Sequence, residues 1–298
     1  MRILVALDGN ALPRRGDGGA AGGRQGDVEA AADAFAELSR EHELVVVHGS
    51  GRLTRYPPGA DGEPTAGQAL ELALRNRLPE RDLVSVLTEV VVAGDDPAFG
   101  RPTQAVGPVY TAEEAERLER ERGWTTCRDG DRCRRLVPAP EPYAIAEIRS
   151  LRVLVESGAL VICASGGVPI ALDRGGDMHA VEAAIDEDLT AALLARRLDA
   201  DLLVLLTEVE VVHRDTGAPE RRPLGDGGPA QPRGGEPAAA SIGPKVEAAC
   251  RFAAGTGRRA AIGALTDAAR VARGEAGTQV LAAAAEPAIA AARRPPRR

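Results

Sequence analysis

Aromatic residues are nearly missing from this chain. Its 298 residues include one tryptophan, three tyrosines and three phenylalanines. Basic charge is in deficit, with 44 aspartates and glutamates against 37 lysines and arginines, for a net of −7. Nucleic-acid binding asks for the reverse, a basic footprint and rings on which bases stack, so that class is set aside. No apolar run reaches the roughly 18 residues of a membrane span. The first residues, Met1-Arg2-Ile3-Leu4-Val5-Ala6-Leu7, pass straight into a strand-like pattern. They lack a signal peptide's long apolar stretch and cleavage site, and the expectation is a cytoplasmic protein. Cys127, Cys133, Cys163 and Cys250 are scattered, with no C-x-x-C pair, and the four histidines show no ligand spacing. A disulfide framework and a zinc site are both disfavoured, and no metal ligands are assigned. Lysine is the scarcest base: Lys245 stands alone among arginines. That matters because a guanidinium does not replace a compact ammonium.

What is present is an alternation of short apolar runs and helical periodicity. Strands are expected over 2–7, 43–47, 83–92, 159–163, 202–206 and 259–264, the last as the final core strand. Helices are expected over 27–40, 68–78, 143–157, 189–198 and 245–254. Continuous apolar strands between helices point to an α/β fold, a mostly parallel sheet covered on both faces. Thr111-Ala112-Glu113-Glu114 is a capping box that opens a charged helix ending near Arg122. Residues 124–142, with Trp124, two cysteines, four arginines and three prolines, read as a hairpin flap leaving the sheet. Residues 214–240 are rich in glycine, proline and charge and are expected to be an exposed loop. The tail over 283–298 is expected to fray. No internal repeat is visible.

Four strands end in small-residue turns: Asp8-Gly9-Asn10, Gly49-Ser50-Gly51, Ser165-Gly166-Gly167 and Thr207-Glu208. Ligands of open α/β sheets sit outside the carboxyl ends of the strands. Glycines there let backbone N–H groups approach phosphate. One such turn is ordinary chain reversal; four in register point to a phosphate-handling cleft. No P-loop and no complete dinucleotide fingerprint occurs. Ser241-Ile242-Gly243-Pro244-Lys245 reads as a helix start whose lone lysine opposes the helix dipole unless an anion binds there. Ile185-Asp186-Glu187-Asp188 puts three carboxylates ahead of a helix. That is ordinary capping, or a place where Asp186 or Asp188 orients other groups or a metal-bound phosphate. His48, at a strand end, reads as a structural histidine before a catalytic base.

Taken in order, these motifs resemble the carbamate kinases of the amino acid kinase family. The resemblance is carried by Ala6-Leu7-Asp8-Gly9-Asn10, Val47-His48-Gly49-Ser50-Gly51, Leu87-Thr88-Glu89, Arg135-Leu136-Val137-Pro138-Ala139-Pro140-Glu141-Pro142, Ser165-Gly166-Gly167, Val181-Glu182-Ala183-Ala184-Ile185-Asp186-Glu187-Asp188, Leu206-Thr207-Glu208-Val209 and Gly243-Pro244-Lys245. It implies a three-layer α/β/α sandwich with a small protruding flap, over about 108–142. It further implies a carbamate-side lobe over 1–200, a nucleotide-binding lobe over 201–282, and a homodimer. The implied reaction is phosphoryl transfer between ATP and carbamate, giving ADP and carbamoyl phosphate or the reverse, with Mg²⁺. Gly9, Asn10, Gly49, Ser50, Gly51, Gly166 and Gly167 would line the carbamoyl group. Thr207, Val209, Gly243 and Lys245 would lie near the nucleotide, and Lys245, Asp186 and Asn10 would be catalytic.

The chain also departs from the family pattern. The lysine of the family's Asp-Lys-Asp is Glu187, the flap lysine is Glu141, the first glycine of Gly-Gly-Asn is Asp8, Arg52 takes the place of a proline after Gly49-Ser50-Gly51, and the four-glycine turn is reduced to Ala164-Ser165-Gly166-Gly167. Losing one preorganised donor costs about 2.7–4 kcal/mol. Reversing its sign adds roughly 4 kcal/mol at 4 Å and an effective dielectric near 20. Arg52, Arg55 or Arg174 could compensate, since arginine clamps phosphoryl oxygens well. Two readings follow: an active phosphotransferase, with carbamate or an altered acceptor, and a kinase fold without turnover that serves as a binding protein.

Overall fold

The computed structural model describes residues 1–7, 21–49, 66–165, 169–207 and 237–282. Along the chain run β1 (Arg2–Leu7), α1 (Ala21–Glu41), β2 (Glu43–Gly49), α2 (Ala66–Arg77), β3 (Leu83–Leu87), β4 (Val90–Ala93) and β5 (Gln104–Tyr110). There follow α3 (Ala112–Arg122), β6 (Thr125–Asp129), β7 (Arg132–Val137), β8 (Pro142–Ile145), α4 (Ile148–Glu156), β9 (Leu160–Ser165), β10 (Ile170–Leu172) and β11 (Met178–Ala180). The chain continues through α5 (Glu187–Arg197), β12 (Leu202–Thr207), α6 (Pro237–Thr256), β13 (Arg259–Ala264), α7 (Ala268–Arg273) and β14 (Thr278–Val280). Among the described residues, no helix is long and apolar enough to cross a membrane.

Two compact units form. The first joins Met1–Thr88, Glu147–Gly166 and Glu187–Arg298; the second joins Glu89–Ala146 and Gly167–Asp186. The first unit is built on a seven-stranded sheet in the order β14-β13-β12-β1-β2-β9-β3. Every neighbour in it is parallel except the edge pair β13–β14. Its central strands are apolar without interruption because both faces are covered. Ile3, Val5 and Leu7 of β1, with Leu202, Val204 and Leu206 of β12, face the core built with α1, α2 and α7. The alternate residues face the opposite layer, where α4, α5 and α6 pack on the strands. The expected three-layer α/β/α arrangement is therefore the arrangement found.

Several expected boundaries move, each for a tertiary reason. The run over 83–92 is two strands. β3 pairs with β9 in the large sheet, whereas β4 pairs with β10 and β8 in the second unit. The break falls at Thr88, which is buried and donates its hydroxyl to the Val86 carbonyl at 3.2 Å. The helix expected over 143–157 begins only at Ile148, because residues 142–145 are claimed by strand pairing with β4. β13 is not the last core strand, since β14 adds an antiparallel edge beside it. Helix α6 starts at Pro237 rather than at 245. The rest of the loop expected over 214–240, and the tail over 283–298, lie outside the described residues.

The second unit holds a four-stranded sheet, β11-β10-β4-β8, and a three-stranded one, β5-β7-β6. Within 124–142, β6 and β7 form an antiparallel hairpin. The capping box of α3 is realised in both directions: the Thr111 hydroxyl accepts from the Glu114 amide at 3.2 Å, and the Glu114 carboxylate accepts from the Thr111 amide at 2.9 Å.

One turn gives a direct stability test. Gly277 has φ +71°, and a methyl there would overlap the Ile262 carbonyl oxygen. Gly158 has φ +87° but open space around it. Gly158→Ala should therefore cost only left-handed strain, about 1–2 kcal/mol. Gly277→Ala should cost about 1–3 kcal/mol more, because backbone cannot step aside. Urea unfolding of the two variants measures the difference, and equal losses would refute the account.

Candidate active site at the carboxyl edge of the sheet

The site is set first by connectivity. β12, β1, β2 and β9 are consecutive neighbours and all parallel, so their carboxyl ends emerge along one edge. The four turns singled out in the sequence follow these four strands. With strands about 4.8 Å apart, the row of strand ends is about 14 Å long. The chain moves from β1 to β2 on one side, while β12 lies on the other, so the order reverses at β1. Such a reversal is where an open α/β sheet leaves a crevice. Helices α5 and α6 each run back to the start of the next strand, β12 and β13. Their N-termini therefore lie at the same edge as the carboxyl ends of these strands, adding positive potential there.

The described part of the site centres on Lys245. It is 2% exposed, and its Nζ donates to both carboxylate oxygens of Asp188, at 3.1 and 3.0 Å. The Asp188 side chain is itself 13% exposed. The lysine is neither solvated nor at a helix start: it lies more than two turns into α6, one residue past Pro244. Its charge is thus answered by a carboxylate of the neighbouring helix rather than set against the α6 dipole. Asp188 sits in the first turn of α5 with Glu187, where acids are favoured by the unpaired N–H groups. That gives Glu187 a local structural reason, at the position where the family carries a lysine.

Thr207 ends β12, is buried, and shares the parity of Leu203 and Leu205. It therefore faces the α5/α6 layer, to which Lys245 belongs. Gly243 is half-buried two residues ahead of Lys245. Asp186 is half-buried and closes the second unit, directly ahead of α5. Gly49 ends β2, in register with Ser165 of β9. Asp8, Gly9, Asn10, Ser50, Gly51, Gly166, Gly167 and Val209 lie outside the described residues, as do Arg52 and Arg55. Arg174 pairs with Asp95 at 3.0 Å in the second unit, and Glu141 is exposed, its amide donating to Asp96 at 3.1 Å.

Three features escaped the sequence reading. Asp188 as the lysine's partner is 57 residues away in sequence; the only signal was an acid run facing a solitary lysine. His48 is 8% exposed, and its imidazole lies against Gly67, where a methyl would overlap it. Gly67 is the second residue of α2, so this glycine admits the ring at the helix start. The third is Trp124, with the Arg135 guanidinium carbon 4.1 Å and that of Arg122 5.3 Å from its ring centroid. Cysteine chemistry is remote from the site's needs. Burial pushes the Cys163 thiol up to about 12, and burial pushes that of Cys250 to about 11. Neither offers a thiolate at neutral pH.

Comparison with known proteins agrees with this geometry. The model of the amino acid kinase family matches residues 1–264. A carbamate kinase of Rhizobium meliloti is 43% identical, over 93% of this chain and 92% of that protein. A carbamate kinase of Haemophilus influenzae is 40% identical, over 94% and 96%. Among solved structures, carbamate kinase from Giardia lamblia bound to AMP-PNP superposes with a TM-score of 0.78 at 27% identity, covering 94% of this chain and 98% of that one. With a family model over residues 1–264 and homology over nearly its whole length, the chain belongs to the amino acid kinase family and is carbamate kinase-like.

Proposed function

We propose that this protein transfers a phosphoryl group between ATP and carbamate, with carbamoyl phosphate and ADP as the other pair. The observation that carries the reading is the sole lysine, buried and oriented by Asp188 on the carboxyl edge of the sheet. A buried ammonium is expensive to maintain, and phosphoryl transfer is a reaction that repays it. In the forward direction a carbamate oxygen attacks the γ-phosphorus, the bond from that phosphorus to the β–γ bridging oxygen breaks, and ADP leaves. Charge spreads over the transferring oxygens, and a fixed cation stabilises it without reorganisation.

Lys245 is assigned to that charge, and Asp186 to orienting the phosphate. Asn10 stands with them as catalytic. Gly9, Asn10, Gly49, Ser50, Gly51, Gly166 and Gly167 are assigned to the carbamoyl group, and Thr207, Val209, Gly243 and Lys245 to the nucleotide. The carbamate side is placed in 1–200 and the nucleotide side in 201–282. Mg²⁺ keeps several waters and phosphate oxygens and needs only one or two carboxylates from a protein. The half-buried carboxylate of Asp186 fits that requirement; the ion, when bound, supplies charge neutralisation on the phosphates. A homodimer and a cytoplasmic location complete the proposal, both following the family.

The test is ADP formation from ATP and Mg²⁺ with and without carbamate, together with direct detection of carbamoyl phosphate. Carbamate-dependent ADP release supports the reading. ADP release with another small acid only would replace carbamate as acceptor. Neither turnover nor nucleotide binding at millimolar ATP would reject it in favour of a fold that binds without catalysis.

A further inference from the structure

Between β11 and α5 the chain runs from Val181 to Asp186 without regular secondary structure. Within its own unit this strap is tied at three points. The Val181 amide donates to the Pro169 carbonyl and the Ala184 amide to that of Pro138, both at 2.9 Å. The Glu182 carboxylate accepts from the guanidinium of Arg135. Arg135 belongs to β7, the middle strand of its sheet, paired with Val106 of β5 on one side and Thr126 of β6 on the other. Its guanidinium carbon lies over the ring of Trp124, the only tryptophan, and its side chain is 19% exposed.

As a device for stability this arrangement is poor. The Nε of Arg135 is buried without a hydrogen-bond partner, and Glu182 is 77% exposed. A buried unpaired donor costs more than an exposed ion pair returns. What the arrangement does supply is direction: a planar cation, fixed by a ring and a three-stranded sheet, gripping a strap four residues before Asp186. We propose that Arg135, held over the Trp124 ring, is a positioning residue for phosphoryl transfer, acting through Glu182 to fix the strap that presents Asp186. The inference rests on the assignment of Asp186 made under the proposed function.

Glu182→Gln tests it, since it keeps the side chain's shape and removes its charge. The expected result is a fall in kcat of about tenfold or more, the effect of a small misplacement at the reacting centre. The KM for nucleotide should stay within about twofold and the unfolding midpoint should not move, because only transition-state geometry is lost. Glu182→Asp, which keeps the charge, should recover part of kcat. An unchanged kcat, or a loss that follows the unfolding midpoint, overturns the proposal. If the wild-type chain shows no turnover, the activity reading fails by itself. The strap is then judged by amide exchange at Ala184: faster exchange in Glu182→Gln upholds the grip of Arg135, and unchanged protection overturns it.

Discussion

Lys245→Met should lower the rate of carbamoyl phosphate formation by about a hundredfold to a thousandfold, the cost of removing one preorganised charge-stabilising donor. The same change should also destabilise the fold, because Asp188 loses its ammonium partner in a nearly closed environment. Breaking a buried pair from one side costs about 3–5 kcal/mol. The two effects can be separated. Replacing both partners by apolar groups of similar volume is often neutral for stability. Lys245→Met combined with Asp188→Leu should therefore recover most of the unfolding free energy and none of the turnover. Lys245→Arg is the complementary control: it keeps the charge but brings a larger planar group into a site that is 2% exposed, so it should not restore the rate. The checks are coupled ADP release and urea unfolding on the same preparations. Recovery of turnover in the double variant would show that the lysine serves only the fold.

The sequence made the large sheet legible because its strands are buried on both faces. Runs such as Leu202–Leu206 are apolar at every position and cannot be mistaken for half-exposed structure. Helix α3 was legible for a local reason, its reciprocal Thr111–Glu114 cap. What could not be read was membership. Residues 83–92 look like one strand, and only pairing with β9 on one side of Thr88 and with β10 on the other divides them. The start of α6 was hidden because Gly243-Pro244 has the composition of a helix boundary, yet it lies inside the helix. At the candidate site, Lys245 stood out by being alone, a compositional signal. Its pairing with Asp188, and the contact of His48 with Gly67, are products of helix packing on the sheet, which no local pattern encodes.

Helix packing also leads to the second large effect. Lys245, Ala248, Ala249 and Phe252 recur at intervals of three and four on α6, and all are buried, so they share one face. Phe252 is the only large apolar side chain among them and, with Phe35, one of the bulkiest fully buried side chains among the described residues. It lies two turns past Lys245 on α6, a helix that packs on β12, β13 and α5. Phe252→Ala should cost about 3–5 kcal/mol, because the alanines around it leave little to fill the cavity. Phe252→Leu should cost under about 1.5 kcal/mol, since most of the volume is kept. If the seat of α6 fixes the lysine, Phe252→Ala should also lose about tenfold or more in kcat at temperatures where it stays folded, since misplacement by a fraction of an ångström is enough. Phe252→Leu should lose little. Full turnover in a folded but weakened Phe252→Ala protein would mean that Asp188 alone holds Lys245 in place, and that the α6 core contributes stability without contributing aim.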